Sequence, residues 1–201
     1  MQIQKRTQPS ESSKTPRLNS AQDVVAAVIN RRVPALIALV ANWDLLNEAM
    51  HDVAFKLALA GEFRVVVGGN RFSFYRFPLY LGARLFRLRE LMDNFLVSRA
   101  KTCFQMLDTL EHLDFDGTPL LVMDFLHSFD EDGLTTRELN RVLSDCLRMA
   151  RNAAGQGPVI LSIANNIGNQ TLVERVLSEA DHSVVASRGD QNKLAVQTEL
   201  L

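Results

Sequence analysis

The feature that most constrains this chain is a series of short, almost wholly apolar runs, each bounded by turn-forming or polar residues: Ala35–Val40, Phe63–Val67, Leu120–Leu126 and Val159–Ala164. Runs of that length without alternation are too short for buried helices and read as strands buried on both faces, as in a parallel sheet. The stretches between them have helical periodicity. Trp43 to Ala60 places Leu46, Met50, Val53, Phe55 and Leu57 on a buried side, and Lys101 to Leu113 does so with Cys103, Met106, Leu107 and Leu110. A longer helix is expected from Thr135 or Thr136 to Ala154, opened by Thr135 and Glu138 at capping-box spacing and ended by Gly155-Gln156-Gly157-Pro158.

Shorter elements complete the alternation. Phe95 to Ser98 reads as a brief strand, Leu81 to Asn94 and Leu172 to Ser178 as helices, and Ser20 to Asn30 as a helix capped by Ser20 with Asp23. His182 to Ser187 and Lys193 to Thr198 flank Arg188-Gly189-Asp190-Gln191-Asn192, which predicts a closing antiparallel hairpin. The expected class is α/β: a mainly parallel sheet flanked by helices in three layers, with that hairpin at the C-terminal edge.

Residues 1–19 carry Lys5, Arg6, Lys14 and Arg17 against one Glu11 and almost no large apolar groups, which predicts a disordered basic tail ahead of a single domain at 20–201. Over the 201 residues, 22 basic and 23 acidic side chains give a net charge of -1, so any affinity for nucleic acid has to be local. No apolar run is long enough to span a bilayer and no signal peptide is recognisable. Cys103 and Cys146 lack CxxC or histidine neighbours and read as buried thiols of a reducing compartment. A cytoplasmic protein is expected. His51, His112, His127 and His182 are scattered, with no pair at zinc-ligand spacing, and no nucleophile with a neighbouring base can be assembled, so no metal or other cofactor is expected.

The run Leu120-Leu121-Val122-Met123-Asp124 ends in a carboxylate. At the carboxyl end of a buried strand an Asp faces the crevice where ligands of parallel sheets bind, and there it can hold magnesium or simply close a turn. The order of elements, with Val97-Ser98-Arg99-Ala100 before a helix, this strand, the helix Glu138 to Arg151, and Ala164-Asn165-Asn166 after the next strand, resembles the ATPase core of the RecA/RadA recombinase superfamily, including its non-catalytic paralogues. That resemblance covers most of residues 33–198. It implies a RecA-like fold, a magnesium carboxylate at Asp124, a phosphate-binding loop after the first strand, and a catalytic Glu after the second.

The parts that would do the chemistry are missing. A phosphate-cradling loop needs glycines whose N–H groups converge on the anion, a Lys to balance charge and a Ser or Thr for magnesium. The chain instead has Val40-Ala41-Asn42-Trp43-Asp44-Leu45-Leu46-Asn47-Glu48, which contains none of these and adds two carboxylates. Gly69, beside Gly68, stands where the resemblance places the catalytic Glu. Asn42, Asp44, Gly69, Asp124 and Asn166 therefore read as a vestigial nucleotide site, with Asp124 a strand-end carboxylate hydrogen-bonded to Ser162. A lone magnesium carboxylate does not organise phosphoryl transfer.

The resemblance also implies DNA-binding loops after the magnesium strand and after the next one. The first, His127 to Gly133, carries three acids, and the second, Asn166 to Thr171, is short and uncharged, so phosphate contact is disfavoured at the former and weak at the latter. Arg71, Arg76, Arg84 and Arg87 interleave with aromatic residues that include Phe74 and Tyr75. That composition suits a protein interface, a single-strand nucleic-acid groove, or core aromatics with arginines reaching to solvent. Three functions follow: a catalytically inactive RecA-like partner in DNA recombination or repair that assembles with itself or another protein, a single-stranded DNA-binding accessory, or an ATPase whose metal is held by Asp124 with Asp44 or Glu48.

Overall fold

The computed structural model describes residues 34–69, 93–130, 133–165, 168 and 170–185. Within them the chain runs β1 (Leu36–Ala41), α1 (Trp43–Ala60), β2 (Phe63–Gly68), β3 (Phe95–Ala100), α2 (Cys103–Glu111), β4 (Leu120–Met123), a 3-10 turn (Phe125–Phe129), α3 (Thr136–Ala154), β5 (Val159–Ala164), α4 (Gln170–Glu179) and β6 (His182–Val185). The strands form one six-stranded sheet in the order β3-β2-β4-β5-β1-β6. Every pairing is parallel. The fold class read from the sequence, helices flanking a mainly parallel sheet in three layers, is the one the chain adopts.

Strand alternation divides the core in two. Ile37, Leu39, Val65, Val67, Leu121, Met123 and Ile160 face α1, where they meet Leu46, Met50, Val53, Ala54 and Leu57. Leu36, Ala38, Val40, Val66, Leu120, Val122, Leu161 and Ile163 face the other way, onto α2, α3 and α4. Topology explains the division. The connection from β1 to β2 travels one way across the sheet, whereas those from β3 to β4, β4 to β5 and β5 to β6 travel the other way. Right-handed crossovers then put the helices on opposite faces. A fully buried leucine or isoleucine, such as Leu143 or Ile160, contributes about 2 kcal/mol through removal of its apolar surface from water.

The helix ends follow local chemistry. The Thr135 hydroxyl accepts from the Glu138 N–H, while the Glu138 carboxylate accepts from the Thr135 N–H at 2.9 Å and the hydroxyl at 2.7 Å. Both halves of the predicted box are present. At the far end, Arg151 reaches Asp181, whose other carboxylate oxygen accepts from the Leu36 N–H at 2.8 Å, tying the end of α3 to the start of β1.

Two boundaries differ from the sequence reading. The run Leu120–Leu126 is not all strand: β4 stops at Met123 and Asp124 turns the chain at φ 54°, so that Phe125 and Leu126 are buried as part of a 3-10 turn. His127 to Gly133 is correspondingly not an open loop along its length, because Ser128 and Phe129 are buried in that turn. Strand β6 pairs in parallel with β1. The expected second hairpin strand at 193–198, the tail at 1–19, the helix at 20–30 and the segment 70–92 lie outside the described residues.

Candidate functional site

The carboxyl edge of the sheet is where the predicted nucleotide-site residues converge. One residue separates β1 from α1: Asn42, at φ −63° and ψ 155°, is the N-cap, and its side chain accepts from the Leu45 N–H at 3.0 Å. The helix thus begins directly at the strand end. One of the four N–H groups that a helix start leaves available is taken by the chain's own cap. Asp44 occupies the first turn, exposed, where its negative charge suits the helix terminus and opposes an incoming phosphate.

The first two turns of α1 then lie over the crevice. Trp43, Leu46, Asn47 and Met50 line a cavity with Val67 of β2, Met123 of β4, Asp124 just after it, and Ser162 of β5. Its volume is about 10 Å³, mostly apolar in its walls. Among the described residues this cavity is too small for a phosphate group. An indole and a methionine stand in its walls.

Asp124 ends β4 in the left-handed region and is 2% exposed. Its main-chain N–H donates to the Ser162 hydroxyl oxygen at 2.8 Å, across the β4–β5 boundary. The bond to Ser162 expected of the carboxylate is made instead by the Asp124 main-chain N–H. The Asp124 carbonyl accepts from the His127 N–H at 3.0 Å, and the Ser128 hydroxyl donates to the Phe125 carbonyl at 2.9 Å. The Phe125 and Phe129 rings meet edge to face at 5.4 Å. Hydrogen bonds and packing together fix the turn.

The end of β2 is locked against this turn. A Cβ on Gly68 would lie 2.4 Å from the Asp124 carbonyl oxygen, and one on Gly69, which sits at φ +83°, would lie 2.1 Å from His127 Cδ2. Gly69 also donates its N–H to the Ala100 carbonyl at 3.1 Å. A glutamate at position 69 would meet both a disfavoured backbone angle and an occupied volume. The two glycines are explained by close approach of the β4 turn.

Asp124 is therefore brought against α1, whereas Asn42 and Asp44 stand at the rim and do not line the cavity. Asn166 lies outside the described residues, as do Arg71, Phe74, Tyr75, Arg76, Arg84 and Arg87 and the Glu48 side chain. No feature of the sequence marks Trp43, Asn47 and Met50 as lining this cavity, or His127 as packing on Gly69. Among the described residues no three His, Cys, Asp or Glu side chains are grouped to hold a metal ion. Cys103 and Cys146 are buried, and burial, with Cys103 adjacent, pushes the Cys146 thiol far above its ordinary range. No described helix is long and apolar enough to cross a membrane. Comparison with protein-family models finds no match to this chain, and no curated protein matches it.

Proposed function

We propose that the protein is a catalytically inactive RecA-like protein that works as an assembly or regulatory partner in DNA recombination or repair. The observation that carries the loss of catalysis is the cavity at the sheet's carboxyl edge, which among the described residues measures about 10 Å³ and is lined by Trp43, Leu46, Asn47 and Met50. Phosphoryl transfer depends on convergent N–H groups, a cation and a positioned water, all within a pocket that admits the phosphates. The capped start of α1, the exposed Asp44 and Gly69 oppose each requirement in turn.

The RecA-like part of the reading is supported by the order of strands and helices, by Asp124 at the end of β4, and by β5 lying between β4 and β1. Buried strand ends that no longer serve a nucleotide still give a rigid scaffold for surface contacts. Light scattering on the purified chain, alone and mixed with a RecA-type recombinase at micromolar concentrations, tests the assembly. A self-assembled species or a mixed complex is expected in the absence of added nucleotide. A protein that stays monomeric under both conditions would refute the assembly role.

A further inference from the structure

The exposed side of α3 carries a stripe of basic residues. Arg137, Arg141, Ser144, Arg148 and Arg151 recur at intervals of four, three, four and three residues, and all five are exposed. At about 100° per residue they fall within a sector of roughly 80°, and at about 1.5 Å per residue the stripe runs about 21 Å along the helix. Arg175 of α4 faces its C-terminal end across a groove of about 280 Å³, lined by Ser144, Leu147, Arg148, Arg151 and Glu179.

The arginines divide into two kinds. Arg148 lies 3.0 Å from Asp145, Arg151 2.5 Å from Asp181 and Arg175 3.1 Å from Glu179, pairs that steer the guanidinium groups while leaving them partly exposed. Arg137 and Arg141 make no ion pair among the described residues. Within the stripe itself no acid stands, and its flanks carry Asn140 and Asn152 and, beyond Asn152, Asp145 paired with Arg148.

We infer that this face of α3 is a docking surface for the phosphate backbone of duplex nucleic acid, read without regard to sequence. Three features choose that occupant. Phosphates of one duplex strand follow one another at about 3.4 Å along the axis, so a stripe of about 21 Å faces about six of them. Guanidinium, hydroxyl and amide groups are the side chains that contact phosphate and sugar. The exposed positions of α3 include no aromatic or aliphatic residue, so an acidic protein would find no anchor to desolvate and unpaired bases no platform for stacking. The inference needs only these arginines and does not rest on the recombinase-like reading.

The test is fluorescence anisotropy of a labelled 20-base-pair duplex with the full chain, measured between 50 and 200 mM salt. Four arginine–phosphate contacts give a slope of log affinity on log salt of about −3.6, hence a loss of about 150-fold over that range. Arg137→Ala with Arg141→Ala should halve the slope to about −1.8, reducing the loss to about 12-fold, whereas Arg137→Lys with Arg141→Lys should retain the wild-type slope. Far-UV circular dichroism and melting of each variant report that the fold is kept. Absent binding at 50 mM salt, unchanged affinity and slope in the folded alanine variant, or equal displacement by polyglutamate at matched charge would each overturn the assignment.

Discussion

Replacing Ser162 by Ala tests whether the end of β4 is held as described. The substitution removes the hydroxyl that accepts the Asp124 N–H at 2.8 Å, in surroundings where Ser162 and Asp124 are each 2% exposed. Alanine lacks one oxygen and is otherwise the same shape, so the loss of packing is small. What remains is a buried main-chain donor without its acceptor, which costs about 1–3 kcal/mol. In a chain of this length each kcal/mol lowers the melting temperature by about 2–4 °C, so a mid-range loss of 2 kcal/mol corresponds to about 4–8 °C. Urea unfolding followed by circular dichroism should show a lower midpoint at unchanged slope. Ser144→Ala is the control, since that hydroxyl is exposed and bonds only to the Asn140 carbonyl within its own helix. It should stay within about 0.5 kcal/mol of wild type. A Ser162→Ala protein as stable as the Ser144→Ala one would refute the proposed fixation of Asp124.

Other expectations follow from separate parts of the molecule. Gly69→Ala forces a Cβ at φ +83° into the His127 ring and should cost about 1–3 kcal/mol, read as a lowered urea midpoint. Leu143→Ala in the α3 core, where the side chain is fully buried, should cost about 2–5 kcal/mol by the same assay. The Thr135 hydroxyl, then its N–H, hold the Glu138 carboxyl below its ordinary value of 4.5. Its stabilising effect is therefore present above pH 4.5 and lost as pH falls through the lower folded value. Urea midpoints measured downward from pH 6 should fall less steeply in Glu138→Gln than in wild type. Cys103 and Cys146 should resist iodoacetamide at pH 8 in the native protein and react within minutes in urea, followed by mass spectrometry.

Much of the fold was legible because it rests on local pattern. The wholly apolar composition of Val159–Ala164 marks a strand buried on both faces, and the Thr135–Glu138 box marks the start of α3, and both stand at the residues expected. The strand order was not legible, since no local feature states that β5 lies between β4 and β1. Phe125 and Leu126 look like strand because they are apolar. Asp124 turns the chain, and they are buried in the turn instead. The lack of glycine, lysine, serine and threonine in Val40–Glu48 could be read from composition alone. That Trp43 and Met50 line the cavity beside Asp124 could not, because it depends on how α1 lies over β2, β4 and β5. Gly69 stands out in the sequence for the side chain it lacks, and the packing of His127 supplies the reason.

The central claim is that the crevice beside Asp124 does not take a nucleotide. Isothermal titration with MgATP up to 1 mM, paired with melting curves, measures it directly. Binding at a Kd of 10 µM would stabilise the protein by about 2.7 kcal/mol at 1 mM ligand, a rise of about 5–11 °C. The closed cavity predicts no saturable heat and a shift below about 1 °C, which at that ligand concentration means less than about 0.5 kcal/mol of binding stabilisation. A saturable isotherm together with a rise of several degrees would contradict the account.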